Sequence, residues 1–299
     1  MAIRSKLFYA YILFVIVYAC FTLLPAPNQV TLAEYNVSAA TLRLIDVTII
    51  LILSAIWLIG LYGYSSLRSY SSLIRNSKDG RQVAKLATGV FWLIIWLPVS
   101  SVTSVIFNYF AAKHTGLLPA AAIVNNYVNL ILPLIGFFII SLGTRGLSEL
   151  VKQRPSHRVL SFFVIFLIYS SLIYYHLVVS IKGRDAIYHL SIWFIITTLV
   201  APYAFMWFTG LLASYELFLY RLKVPGIVYK KSWNLLSLGI AWLIVTSITF
   251  QYLSTLTPRL THISIYWVLA IIYSLLTVLS IGFVIISIGA RQLQLIEEV

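Results

Sequence analysis

The chain has 299 residues, of which 61% are hydrophobic and only 10% charged, and its mean hydropathy is +0.96. Soluble domains run about 45–50% apolar and about 25% charged, so a soluble enzyme or a soluble binding module is excluded. The net charge of +13 would point to nucleic acid in a soluble protein, but here the placement of the charges explains it, and no nucleic acid is expected.

A membrane span needs about 20 mostly apolar residues, and eight such runs use up most of the chain: about 7 to 24, 43 to 66, 87 to 110, 117 to 142, 159 to 180, 188 to 220, 235 to 255 and 263 to 288. The fold class is therefore read as an all-α integral membrane protein with eight transmembrane helices. The connections are too short for a separate catalytic domain, so any function lives in the bundle. No HExxH, GxSxG or CxxC string is present, which argues against an enzyme of those kinds.

The first run follows MAIRSK and looks like a signal peptide with a weak lipoprotein site at Val17 to Cys20. Tyr18 fits such a site poorly and the apolar run continues through Leu24, so an uncleaved helix ending at Pro25 and Pro27 is expected. Cys20 is the only cysteine, so no intrachain disulfide forms. The connection that follows carries Glu34 and the sequon Asn36-Val37-Ser38.

The second run opens with Arg43 and Asp46. Asp46 lies one turn inside the interface, where it either pairs with Arg43 or serves a pathway. The third carries Pro98, Ser100, Ser101, Thr103, Ser104 and Asn108; Ser100, Ser104 and Asn108 share a face at i, i+4 spacing. The seventh is equally polar, with Thr246, Ser247, Thr249 and Gln251. The plain reading is packing, since small hydroxyl residues let helices approach and each interhelical hydrogen bond adds about 0.6–2 kcal/mol. The functional reading makes the third and seventh helices two walls of a polar pathway.

The fourth run holds Asn125, Asn126 and Asn129 ahead of Pro133 and Gly136, which is read either as a polar clamp or as a solute site beside a carbonyl freed by the proline. In the sixth, Thr197, Thr198 and Pro202 predict a bend, and Glu216 is expected to pair with Arg221. The last run continues through Gly289 into Arg291 and on to Glu298, as signalling helices do before an output module.

His114, His176, His189 and His262 fall at one set of helix ends and are weak candidates for haem or metal ligands; no cofactor is expected, because none is paired at i, i+4 with another ligand. The 20 tyrosines and 8 tryptophans are read as interfacial anchors and packing.

Two strings recur. IISLGTRGLSEL, Ile139 to Leu150, returns as IISIGARQLQLI at an offset of 146, and WLPVSSVT, Trp96 to Thr103, falls on WLIVTSIT at the same offset. A looser match sets Trp57 and Gly60 on Trp207 and Gly210, at an offset of 150. The chain is thus expected to be two parallel four-helix repeats, 1–152 and 153–299, related by an axis along the membrane normal. Of the lysines and arginines, 16 lie on one side and 5 on the other, which places both termini in the cytoplasm of a multi-pass cell-membrane protein in contact with membrane lipids.

The resulting function is a small-solute transporter or channel with a polar pathway between the repeats, through Asn125, Asn126, Asn129, Ser100, Ser104, Asn108, Asp46, Thr246, Thr249 and Gln251. The alternatives are a non-transporting sensor or scaffold that binds a protein partner or lipid, and a haem- or metal-bearing redox subunit.

Overall fold

The computed structural model describes residues 9, 12–16, 39–113, 118–150, 157–181, 193, 196–256 and 265–298. Among them are seven α-helices: α1 Ala39–Leu73, α2 Lys78–Lys113, α3 Leu118–Leu150, α4 His157–Ile181, α5 Ala201–Lys223, α6 Ile227–Leu256 and α7 Ile265–Glu298. A π-helical turn, Ile196–Val200, leads directly into α5. It stands where the sequence predicts a bend, because Pro202 has no N–H to close an ordinary turn.

Five stretches are long and apolar enough to cross a membrane: Val47–Leu73, Lys78–Thr103, Tyr127–Glu149, Ile227–Phe250 and Tyr273–Glu298. The protein is accordingly an all-helical, membrane-embedded, polytopic chain. Within α4 the apolar stretch Leu160–Ile173 is shorter, and of the first run only Tyr9 and residues 12–16 are described, with Phe14 stacked on Trp57 at 6.2 Å. α2 has 36 residues, about 54 Å at 1.5 Å per residue, against about 30 Å of hydrocarbon. Its first turns, with Lys78, Arg81 and Lys85, thus lie beyond the apolar layer.

Each helix separates a lipid stripe from a packing stripe. Leu51 and Leu58 on α1, Ile131 and Phe138 on α3, Leu238 and Val245 on α6, and Ile281, Ile288 and Leu295 on α7 are exposed at seven-residue spacing. Leu276, Leu279, Phe283, Ile286, Ala290 and Leu293 on α7 are buried at alternating steps of three and four, the spacing of side chains that interdigitate across near-parallel helices.

Six helices close on themselves. α1 packs on α2, α2 on α3, α3 on α5, α5 on α6, α6 on α7, and α7 back on α1, while α4 lies outside against α5 and α6. α5 buries Tyr203, Met206, Trp207, Gly210, Leu217 and Tyr220 among others.

Two crossings in this ring are built alike. A methyl on Gly89 would stand 2.5 Å from Ile140 Cγ1 and 2.7 Å from Gly136 O; one on Gly239 would stand 2.6 Å from Ile286 Cγ1 and 3.1 Å from Gly282 O. Gly60 likewise accommodates Ile94, and Gly210 accommodates Ile244. Such backbone approach is how helices gain dispersion contact when lipid removes the hydrophobic drive between them.

Hydroxyls add cross-links. Ser287 Oγ donates to Ile59 O at 2.8 Å, beside Gly63, whose missing side chain makes the room. Ser214 Oγ donates to Ser237 O at 2.8 Å and Ser237 Oγ to Ser214 O at 2.7 Å. Ser214→Ala is expected to lower stability by about 0.6–2 kcal/mol, read as a fall in thermal midpoint in detergent; no change would mean that the pair is incidental.

Candidate functional site

The helix ends that carry the basic connections meet around a cavity of about 500 Å³ lined by α1, α2, α5, α6 and α7. Local chemistry sets its walls. Ile74 N–H donates to Tyr70 O at 3.2 Å as α1 ends, and Ser77 Oγ accepts Gly80 N–H at 3.0 Å, capping α2. That cap places Asp79 in the first turn of α2, where a negative charge also suits the helix dipole. On the other side Val224 is extended and Gly226 takes φ 83°, so a short Val-Pro-Gly connection turns α5 into α6. A positive φ is open to glycine at little steric cost.

The floor is aromatic. Tyr70, Tyr220 and Trp233 are all buried, and the Trp233 ring takes Tyr220 edge-on at 4.9 Å and Tyr70 at 6.4 Å. Above them Tyr220 Oη–H donates to Asp79 Oδ2 at 3.0 Å, and Tyr229 Oη–H donates to Glu297 Oε1 at 2.6 Å. Among the described residues neither carboxylate is ion-paired; the ion pair present is Arg145 with Glu149, elsewhere on α3. Lys223 stands at the rim, exposed, with Ser77 and Pro225. The cavity therefore has an aromatic base, two tyrosine-held carboxylates and a cationic edge, and its volume lies within the roughly 300–1,000 Å³ typical of small-molecule sites.

A second polar contact joins α3 to α5. Glu216, only 4% exposed, accepts a hydrogen bond from Thr144 Oγ1 at 2.6 Å. The expected pairing of Glu216 with Arg221 is not made: five residues along a helix is about 140° around it, so the two leave on different faces. Arg221 Nη1 instead donates to Asn234 Oδ1 at 2.7 Å, and its guanidinium lies 4.4 Å from the Phe218 ring centre.

Of the pathway residues read from sequence, Ser100 is buried and its Oγ donates to Leu97 O at 3.0 Å. Thr246 is buried and donates to Trp242 O at 2.8 Å; Thr249 is exposed and donates to Val245 O at 2.9 Å. These hydroxyls turn back onto their own helices. Asn129 is half-buried. The side chains of Asn125, Asn126, Ser104, Asn108, Asp46, Gln251 and His176, and all of His114, His189 and His262, lie outside the described residues. Where α2, α6 and α7 meet, the void is about 10 Å³, lined by Trp96, Leu97, Thr246, Phe250, Leu275, Leu276 and Leu279. That is room for about one water at most.

Sequence reasoning missed Asp79, Glu297 and the tyrosines of the cavity, having assigned tyrosine to the interface. The available signal was an acid at each of two basic helix ends, together with Tyr70 and Tyr220 at the same offset of 150 as Gly60 and Gly210.

Compared with protein-family models, curated proteins and solved structures, the chain matches none.

Proposed function

We propose that this protein is a membrane transporter for a small solute, built from two related halves, 1–152 and 153–299, and open to the cytoplasm through the cavity at its basic end. The observation that carries the reading is the cavity where the basic ends of five helices meet, with Trp96, Leu97, Phe250, Leu276 and Leu279 packed around a far smaller void further along the bundle, between α2, α6 and α7.

The relation between the halves rests on matched crossings. Gly89, Leu93 and Ile94 on α2 correspond in their contacts to Gly239, Leu243 and Ile244 on α6, an offset of 150; Gly136, Ile140 and Gly143 on α3 correspond to Gly282, Ile286 and Gly289 on α7, an offset of 146. The contacts thus favour Trp92, not Trp96, as the counterpart of Trp242. The sequence match at 146 for this helix pair is one helical turn out of register, and four residues are absorbed between α2 and α3. The order of helices around the ring supports the same relation, since α1, α2, α3 and α5, α6, α7 occupy equivalent places.

The sensor or scaffold reading leaned on the final helix as an output. Leu293 and Gln294 are buried and Glu297 is held by Tyr229, so that end of α7 is a wall of the cavity, which supports the transport reading.

Proteoliposomes loaded with a panel of cationic, neutral and anionic solutes test it. Saturable flux of one class, raised by Trp96→Ala through thinning of the apolar layer, is the expected result. Absence of flux for every class, in both the native chain and Trp96→Ala, would overturn it.

A further inference from the structure

We propose that the cavity binds a compact organic ammonium ion, its charge facing Asp79 and Glu297 and its alkyl groups on Tyr70, Tyr220 and Trp233. The proposal rests on the cavity being a ligand site and not on transport, so binding is measured separately from flux.

The argument is one of complementarity. In a chain with 21 lysines and arginines against 8 acids, an acid at the basic end has many cations within reach. Yet Asp79 and Glu297 take tyrosine hydroxyls rather than Lys or Arg among the described residues. A hydroxyl donor stabilises a carboxylate without cancelling its charge, so the field of both acids remains directed into the cavity. Beside them lie the rings of Tyr70, Tyr220 and Trp233, whose faces are electron-rich. Rings paired with carboxylates recognise alkylammonium groups, because a cation is drawn to the ring quadrupole and its methyl or methylene groups are desolvated against the ring at little loss.

An anion would meet two negative charges here, and a neutral apolar solute would strip both carboxylates of water and leave each only its tyrosine hydroxyl. Lys223 lines the same cavity but forms no ion pair with either acid among the described residues. The same chemistry is offered by a free amine or quaternary amine in the cytoplasm and by the headgroup of a choline or ethanolamine lipid, since the cavity lies at the level of a membrane interface.

Binding is measured on the full chain in nanodiscs of phosphatidylglycerol alone, by thermal shift and tryptophan fluorescence. The probes are choline and tetramethylammonium, with the uncharged carbon analogue of choline as control. Saturable binding of the cations and none of the neutral analogue is expected. Asp79→Asn and Glu297→Gln should each weaken it about tenfold, the loss of one charged contact. Lys223→Gln should tighten it, whereas an anionic ligand would require it to weaken.

Nanodiscs of phosphatidylcholine separate the sources. Loss of choline binding there marks the lipid headgroup as occupant; retention marks a free ligand. Equal binding of choline and its neutral analogue, or unchanged affinity in both acid variants, would overturn the proposal. Because the two acids are at the cavity's wall and rim, their amide variants keep the fold, checked by an unchanged thermal midpoint without ligand.

Discussion

Protein carrying Gly89→Leu or Gly239→Leu is expected to disappear from the monodisperse fraction on size exclusion, while Thr88→Leu and Leu238→Ala, one residue away on the lipid side, elute as the native chain does. The reason is what the new side chain meets. At both positions it meets an isoleucine and also a backbone carbonyl, Gly136 O or Gly282 O, and a carbonyl in a helix cannot rotate aside. Overpacking of an interior by a few methylenes costs about 1–3 kcal/mol when side chains can adjust; here the helices must separate along their length. Gly89→Ala should fall in the lower range, seen as a reduced thermal midpoint. Normal behaviour of Gly89→Leu would mean that α2 and α3 do not cross where described.

The second large effect concerns Thr144. Thr144→Val keeps the shape of the side chain and removes the hydroxyl that Glu216 holds across α3 and α5. A hydrogen bond of this kind contributes about 0.5–1.5 kcal/mol, and the buried carboxyl left without its donor is penalised by about 1–3 kcal/mol. The variant is therefore expected to lose stability on that scale. Glu216→Leu in the same chain should restore most of it, since replacing both partners by apolar groups removes the stranded carboxyl. Thermal unfolding of the two single variants and the double one checks this. Equal losses that simply add would show that the two side chains do not act on each other.

Much of the fold was legible because lipid enforces it. A backbone that must satisfy its own hydrogen bonds leaves long uninterrupted apolar runs, and the described helices lie on seven of the eight found. Pro202, which the π-helical turn precedes, was equally visible. The register between α2 and α6 was not. Trp-Leu occurs twice on α2, as Trp92-Leu93 and Trp96-Leu97, four residues apart, and a slip of four residues nearly preserves the helix face, so either can be set on Trp242-Leu243. The proposed pairing of Gly89 with Gly239 favours the offset of 150, through backbone contacts that have no side-chain signature.

The cavity was illegible for a different reason. Its lining comes from five helix ends far apart in sequence, and each tyrosine in isolation reads as an interface anchor. Only closure of the ring brings Tyr70, Tyr220 and Trp233 together. Glu216 misled because nearness in sequence was taken for nearness on the helix surface.

The single indole at the floor of the cavity bears on how the two halves depend on each other. On the proposed pairing, Trp233 in the second half stands where the first half has Val83, which is fully buried. Two copies of the second half assembled together would set two indoles into one space, and two copies of the first would leave it hollow. On that proposal the halves are unlike parts of one object. A chain cut between α3 and α4 should regain its cavity only when both fragments are made in the same cell, and neither fragment should substitute for the other.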